Sequence, residues 1–275
     1  MSAEKEVAGR RSIEIELEVP GTPEEVWQAI ATGPGVSSWF VPAVFEELDG
    51  KPIAMTLTFG PGMDSRSVVT AWDPPRMFAK ESECWMPGSP SMANQWTVEA
   101  RSGGVCIVRI VHSLFASTDE WDDQLEATKA GWPAFLRTLQ LYLTYFRGQR
   151  STMLQLSAPA SGSDAEAWEA LTAALGVKGV SIGQRWTAPE GAPELSGVVE
   201  YVTENPYDAL LRLDTPGPGI AALGVASFPG GRSMAAINFY LYGDQAHEIV
   251  SRTTPMWQAW MQERFPDPTE LRESE

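Results

Sequence analysis

Thr22-Pro23-Glu24-Glu25-Val26-Trp27-Gln28-Ala29-Ile30 is the stretch on which the fold turns, because the chain repeats its sense at Ser163-Asp164-Ala165-Glu166-Ala167-Trp168-Glu169-Ala170-Leu171. In both places a short strand runs into a capped helix whose first turns carry an acid, a Trp and then an Ala. The strands are Ile13 to Pro20 and Thr152-Met153-Leu154-Gln155-Leu156. Downstream, Val68-Val69 leads to an Asp73-Pro74-Pro75-Arg76 turn, and Val198-Val199 leads to a Glu204-Asn205-Pro206-Tyr207 turn. Each half closes on a Trp-bearing helical segment, at Trp132 and at Trp257/Trp260. A repeat this long implies two tandem domains rather than a solenoid, whose periods are roughly 20–50 residues.

The first half begins with alternation. Ile13, Ile15, Leu17 and Val19 interleave with Glu14, Glu16 and Glu18, a half-buried strand with one charged face. Thr22 as cap, Pro23 at the first helical position and Glu25 three residues after the cap form a capping box with an N-terminal proline. Gly33-Pro34-Gly35 should end that helix, with a short helical turn from Ser37 to Phe40. Strands are expected at 44–48, 52–59, 66–72, 77–85, 95–101 and 105–115, joined by Gly- and Pro-rich turns. From Asp119 to Phe146 apolar residues recur at helical spacing, with a bend expected at Pro133. The second half reads as a strand, a helix over 164–175, five strands between 184 and 242, and a helix over about 244–265; the charged tail after Asp267 should fray. The boundaries are 12–148 and 151–266, with the junction at Gly148 to Ser151.

Composition limits the partners. The chain has 275 residues, 43% hydrophobic, with eleven Trp, enough for two cores. Acids outnumber Lys and Arg by 36 to 20, a net charge of −16, and no basic block is present. Nucleic acid and anionic membrane are therefore not expected partners. No apolar run reaches the ~18–20 residues of a membrane span, and Met1 to Arg11 lacks the apolar core of a signal peptide, so a cytoplasmic location is expected. Cys84 and Cys106 have no metal or redox spacing and read as small buried thiols. With two His in all, neither a metal centre nor a cofactor is expected.

The order strand, helix, antiparallel strands, long helix is carried by specific residues in the first half. They are Thr22 to Trp27, Trp39-Phe40, Trp72-Asp73-Pro74-Pro75-Arg76, Val111-His112-Ser113-Leu114-Phe115 and Gly131-Trp132-Pro133-Ala134-Phe135-Leu136. Together they make residues 13 to 147 resemble the SRPBCC (START-like) superfamily. The likeness is to the branch named after the activator of heat-shock-protein ATPase, which is related also to polyketide cyclases and the birch-pollen allergen. The second half resembles the same fold less. It lacks a counterpart of His112-Ser113, and has Pro255-Met256-Trp257-Gln258-Ala259-Trp260 where the first half has its Gly-Trp-Pro-Ala-Phe-Leu run. The resemblance implies an α+β, helix-grip fold in two tandem copies, each a curved antiparallel sheet wrapped around a long C-terminal helix over a mostly apolar cavity. Fold alone leaves ligand binding, cyclase or hydratase chemistry and chaperone activation all open.

His112 is the sharpest candidate residue. It shares a strand face with Val108 and Ile110; if that face looks into the cavity, His112 can orient a ligand oxygen or act as a general acid/base. The plainer alternative is a neutral His bonded within the core. Trp39, Phe40, Trp96, Ile110, Trp132 and Phe135 could line the pocket, though aromatic stripes are more often core. Lys80 shares a face with Phe78, Ser82 and Cys84 and could meet an acidic ligand, with a snorkelling surface Lys favoured. The acidic pairs at 119–120 and 122–123 are explained by helix capping. No phosphate loop or nucleophile elbow is present. Three readings follow. The leading one is non-enzymatic binding of a hydrophobic or amphipathic small molecule in the N-terminal domain, in a stress or regulatory role. The others are a polyketide cyclase/dehydratase using His112, and a protein-interaction module akin to a chaperone activator.

Overall fold

The computed structural model describes residues 11–60, 62–82, 91–115, 122–204, 207–227 and 232–266. Cys84, Trp85, the 86–91 loop up to residue 90, the acids at 119–120 and the tail from residue 267 lie outside the described residues. So do the side chains of 122–128 and 130, Leu125 among them. The chain divides into two compact units, residues 1–150 and 151–275.

The first unit runs β1 (Arg11–Pro20), α1 (Pro23–Ile30), α2 (Gly33–Ser37), β2 (Ala43–Leu48), β3 (Lys51–Thr58), β4 (Asp64–Asp73), β5 (Met77–Ser82), β6 (Ser91–Arg101), β7 (Val105–Phe115) and α3 (Asp122–Tyr145). Its seven strands form one antiparallel sheet in the order β1-β7-β6-β5-β4-β3-β2. The Glu face of β1 meets Arg109 of β7, which reaches Glu14 and Glu16 at 3.0 Å each. The opposite face, with Ile13 and Val19, is buried. Across the sheet lies α3, which packs on β1 and buries Leu136, Leu139 and Leu143. Gln140 ties it down by donating to the Glu18 carbonyl at 2.7 Å. Pro133 stands inside this helix, which continues past it as one element.

The capping box forms as read. The Thr22 amide donates to the Glu25 carboxylate at 2.8 Å, and the Glu25 amide donates to the Thr22 hydroxyl. Gly33-Pro34-Gly35 does not terminate a helix; it begins α2, capped by Thr32, and the helical turn ends at Ser37 rather than Phe40. The glycine there serves close approach: a Cβ on Gly35 would stand 1.8 Å from the Gln28 carbonyl oxygen.

The second unit repeats the plan with β8 (Ser151–Pro159), α4 (Asp164–Ala174), β9 (Arg185–Thr187), β10 (Ser196–Glu204), β11 (Tyr207–Thr215), β12 (Gly219–Ser227), β13 (Ser233–Tyr242) and α5 (Ala246–Arg264). Its sheet order is β8-β13-β12-β11-β10-β9. Ser163 and Glu166 form the matching capping box. Trp186 donates its indole N–H to the Leu175 carbonyl at 2.7 Å, as Trp39 does to Ala29 at 2.9 Å, so each unit ties a Trp to the end of its first helix. Both units have the helix-grip architecture. Removing either cap hydroxyl, by Thr22→Ala or Ser163→Ala, is expected to cost about 1 kcal/mol, read as a fall in the urea midpoint with no change in slope.

Candidate functional site

Strand register sets out the inner face of the first sheet as rows. In one row Lys80 of β5 lies opposite Asn94 of β6, Asn94 opposite His112 of β7, and His112 opposite Ile13 of β1. The next row holds Ser82, Met92 and Leu114; the one on the other side holds Phe78, Trp96 and Ile110. From β4, Ser67 and Ser65 face inward beside Met55 and Leu57 of β3. Six polar positions, Ser65, Ser67, Ser82, Lys80, Asn94 and His112, thus gather on adjacent strands inside an otherwise apolar grip. They line a cavity of about 140 Å³ together with Trp39, Phe40, Phe59, Phe78, Trp96 and Trp132.

The walls are aromatic. Trp96, Trp132, Phe135, Phe40 and Trp39 form a closed circuit of ring contacts, with centroids 5.7, 5.9, 4.9, 5.6 and 6.4 Å apart in turn. Such edge and tilted contacts are the favoured geometries for quadrupolar rings. Of the side chains expected at the site, Trp39, Phe40, Lys80, Trp96, His112 and Trp132 line the cavity. Ile110 is wholly buried beside Trp96 in the sheet, and Phe135, 42% exposed, braces Phe40 and Trp132 from outside. Lys80 is no snorkelling surface residue. It is 7% exposed, because the sheet's inward face and not its rim holds its strand position.

His112 is 5% exposed. Its Nδ1 lies 2.6 Å from Asn94 Oδ1. A carbonyl oxygen can only accept, so Nδ1 carries the proton and Nε2 the lone pair. That Nε2 is buried and has no hydrogen-bond partner among the described residues. Desolvation, with the Lys80 charge as a second cause, lowers the imidazole pKa to about 4. Among the described residues Lys80 donates only a long 3.4 Å bond, to Ser67 Oγ, and burial lowers its pKa to about 8. The pressure runs one way for a physical reason. When Lys80 titrates near pH 8 the imidazole is neutral, whereas when His112 titrates near pH 4 the ammonium is charged. No carboxylate lines the cavity among the described residues.

The second unit lacks this chemistry. Its corresponding rows are Leu154, Phe239, Ala221 and Leu211, then Leu156, Ile237, Leu223 and Ala209, all in one core with Trp257 and Trp260. A larger depression of about 860 Å³ borders Ser163 and Asp164, but it is open, and Asp164 there already accepts from Ser227 and Ser233. Cys106 is buried, its thiol donating to the Gly21 carbonyl at 3.3 Å. Among the described residues no cluster of His, Cys, Asp or Glu could hold a metal, and no helix is long and apolar enough to cross a membrane.

Sequence reasoning missed Ser65, Ser67, Met92, Asn94, Phe59 and Phe78 as lining residues. In β4, Ser65 and Ser67 alternate with Asp64 and Arg66, so neither face declares itself the core face. Asn94 becomes visible only once register sets it opposite His112.

No curated protein matches the chain. Among solved structures it is similar to the di-domain ARO/CYC BexL from the BE-7585A biosynthetic pathway, at 14% identity and TM-score 0.44, over 94% of this chain and 99% of that one. DynU16, a putative protein of the dynemicin biosynthetic locus, is similar at 17% identity and TM-score 0.40, over 91% and 96%. The Aha1 dimer from Colwellia psychrerythraea is similar at 20% identity and TM-score 0.38, over 50% and 98%. Residues 10–139 match the family described as polyketide cyclase / dehydrase and lipid transport. Over that span, most of the first unit, the chain is similar to this SRPBCC-type family.

Proposed function

We propose that the first unit binds an amphipathic small molecule, its apolar body among the Trp and Phe walls and its polar end against the Lys80-Asn94-His112 row. One observation carries this reading: an unfilled aromatic cavity whose sheet side bears buried polar groups with unspent hydrogen-bonding capacity. Such groups cost free energy unless something pairs with them. Size narrows the ligand. An apolar cavity of about 150 Å³ accommodates benzene, so about 140 Å³ suits a body of one ring.

His112 also supports a second reading, acid/base catalysis by a cyclase or dehydratase, since Asn94 aims a bare Nε2 into the cavity. Its lowered basicity suits accepting a hydrogen bond better than taking a proton at neutral pH, and binding is the reading we favour. Docking of a protein partner has less support. On the first unit Val44 and Val68 are exposed, but each lies among charges: Glu46 two residues along from Val44, and Arg66 and Glu81 beside Val68.

Native mass spectrometry of gently purified protein, repeated after denaturation, tests the proposal. A one-to-one adduct lost on unfolding is expected, as is saturable binding of single-ring acids, phenols or ketones. Both should vanish in Ser67→Phe, which fills the cavity, provided its thermal unfolding stays cooperative. Wild-type protein that carries no adduct and binds none of these probes would overturn the reading.

A further inference from the structure

Lys80 is one of five lysines in the chain, and its surroundings set it apart. It sits on the inner face of β5 with no carboxylate among the cavity's described lining residues, a long bond to Ser67, and Ser82, Asn94 and His112 around it. Resting on the ligand-cavity reading above, we propose that Lys80 captures small aldehydes or ketones covalently, as an imine at Nζ within the first unit's cavity.

The chemistry closes without a further reagent. The Nζ lone pair attacks the carbonyl carbon, forming the C–N bond and moving the C=O π pair onto oxygen. The two hydrogens of the neutral amine pass to that oxygen, the C–O bond breaks, and water leaves the C=N product. Nothing is oxidised or reduced. The Ser67 hydroxyl, already within reach of Nζ, can both accept and donate during those transfers.

Three features of the site favour the step. Reaction needs the neutral amine, and desolvation supplies it. At a pKa of about 8, roughly a tenth of Lys80 is neutral at pH 7, whereas an ordinary lysine is neutral to well under a thousandth. Within the lining, the other titratable group facing Lys80 is His112, neutral at that pH, so nothing holds the ammonium in its charged form. Converting it to a neutral imine removes a buried charge, and aromatic walls exclude the water that would hydrolyse the product.

The probe is benzaldehyde with sodium cyanoborohydride, applied to the full chain between pH 6 and 9, with intact mass and peptide mapping as readout. Benzyl alcohol, which has the ring but no carbonyl, reports occupancy of the cavity by ligand-observed NMR. The expected result is a single benzyl adduct at Lys80, formed at least tenfold faster than at Lys51 or Lys178. Its rate should rise through pH 8, and the adduct should be lost in Lys80→Arg. Binding of benzyl alcohol with Lys80 labelled no faster than Lys51 and Lys178 would overturn the imine while leaving the binding function standing. If benzyl alcohol does not bind and labelling is unselective, both fall. The comparison among lysines within the wild-type chain needs no variant to fold.

Discussion

Between pH 7 and pH 4 the first unit is expected to lose about 3 kcal/mol of stability through His112 alone. The folded imidazole has a pKa of about 4 against 6.5 for the ordinary group. Within that window the unfolded chain binds a proton that the folded chain refuses, so stability falls as pH falls, and the loss is complete once pH drops below the folded value. The refusal has two sources in the structure. A proton on Nε2 would find no acceptor among the described residues, and the resulting cation would face Lys80. Exposed carboxylates with lowered pKa, such as Glu25, Glu46 and Asp73, lose their share mainly below about pH 4.5, where ordinary carboxyls begin to protonate. Urea denaturation of wild type and His112→Gln at half-unit steps of pH separates the two. The variant keeps a donor for Asn94 and should lack the loss between pH 6.5 and 4.5. Parallel curves in that range would show that His112 is solvated and not held in a dry cavity.

Lys80→Met is expected to stabilise the protein while abolishing recognition of the ligand's polar end. Displacement of the lysine pKa from 10.5 to about 8 corresponds to roughly 3 kcal/mol spent holding the ammonium out of water at pH 7. This cost is fully present below pH 8. It is relieved as pH rises from about 8 to 10.5, where the folded chain has released a proton that the unfolded chain still holds. A methionine of similar length removes the charge and keeps the packing, so a gain of about 1–3 kcal/mol and a rise of several degrees in Tm are expected at pH 7, shrinking as pH rises from about 8 to 10.5. Binding of a single-ring carboxylate should weaken at least tenfold, about 1.4 kcal/mol. The His112 midpoint should also climb, since the variant removes the second cause of its depression. A variant less stable than wild type at pH 7 would mean that the ammonium is solvated, or that its bond to Ser67 outweighs desolvation.

The frame of this protein is legible in its sequence because it is written in local terms. Thr22 with Glu25, the alternation through β1 and the apolar spacing of the last helix each encode an element within about ten residues, and the repeat supplied the second copy. The site is legible only in part. His112 and the Trp residues can be named because each is conspicuous, but Lys80 reads as a surface residue because a lysine is cheapest there. Its burial follows from the phase of β5, where Phe78, Lys80 and Ser82 share the inner face. Asn94 and Ser67 escaped because their meaning lies in pairing across strands, Ser67 with Lys80 over 13 residues and Asn94 with His112 over 18. The glycines at 33 and 35 misled because the usual helix breakers here satisfy a backbone contact that only an absent Cβ permits.

The fixed proton on Nδ1 of His112 has a further consequence for what the cavity can distinguish. At neutral pH Lys80, mostly charged, can only give hydrogen bonds, and Nε2 can only receive one. The two stand on strands separated by the strand of Asn94, about 9.6 Å apart in backbone terms. The cavity therefore has a direction, from β5 to β7, and a guest fits only one way round. A ring with an oxyanion or carbonyl at one position and a hydroxyl at another would be sorted by the spacing between them. Ortho, meta and para isomers of equal mass and equal hydrophobicity would part company on this sheet, and a guest turned end for end would present donor to donor and be turned away.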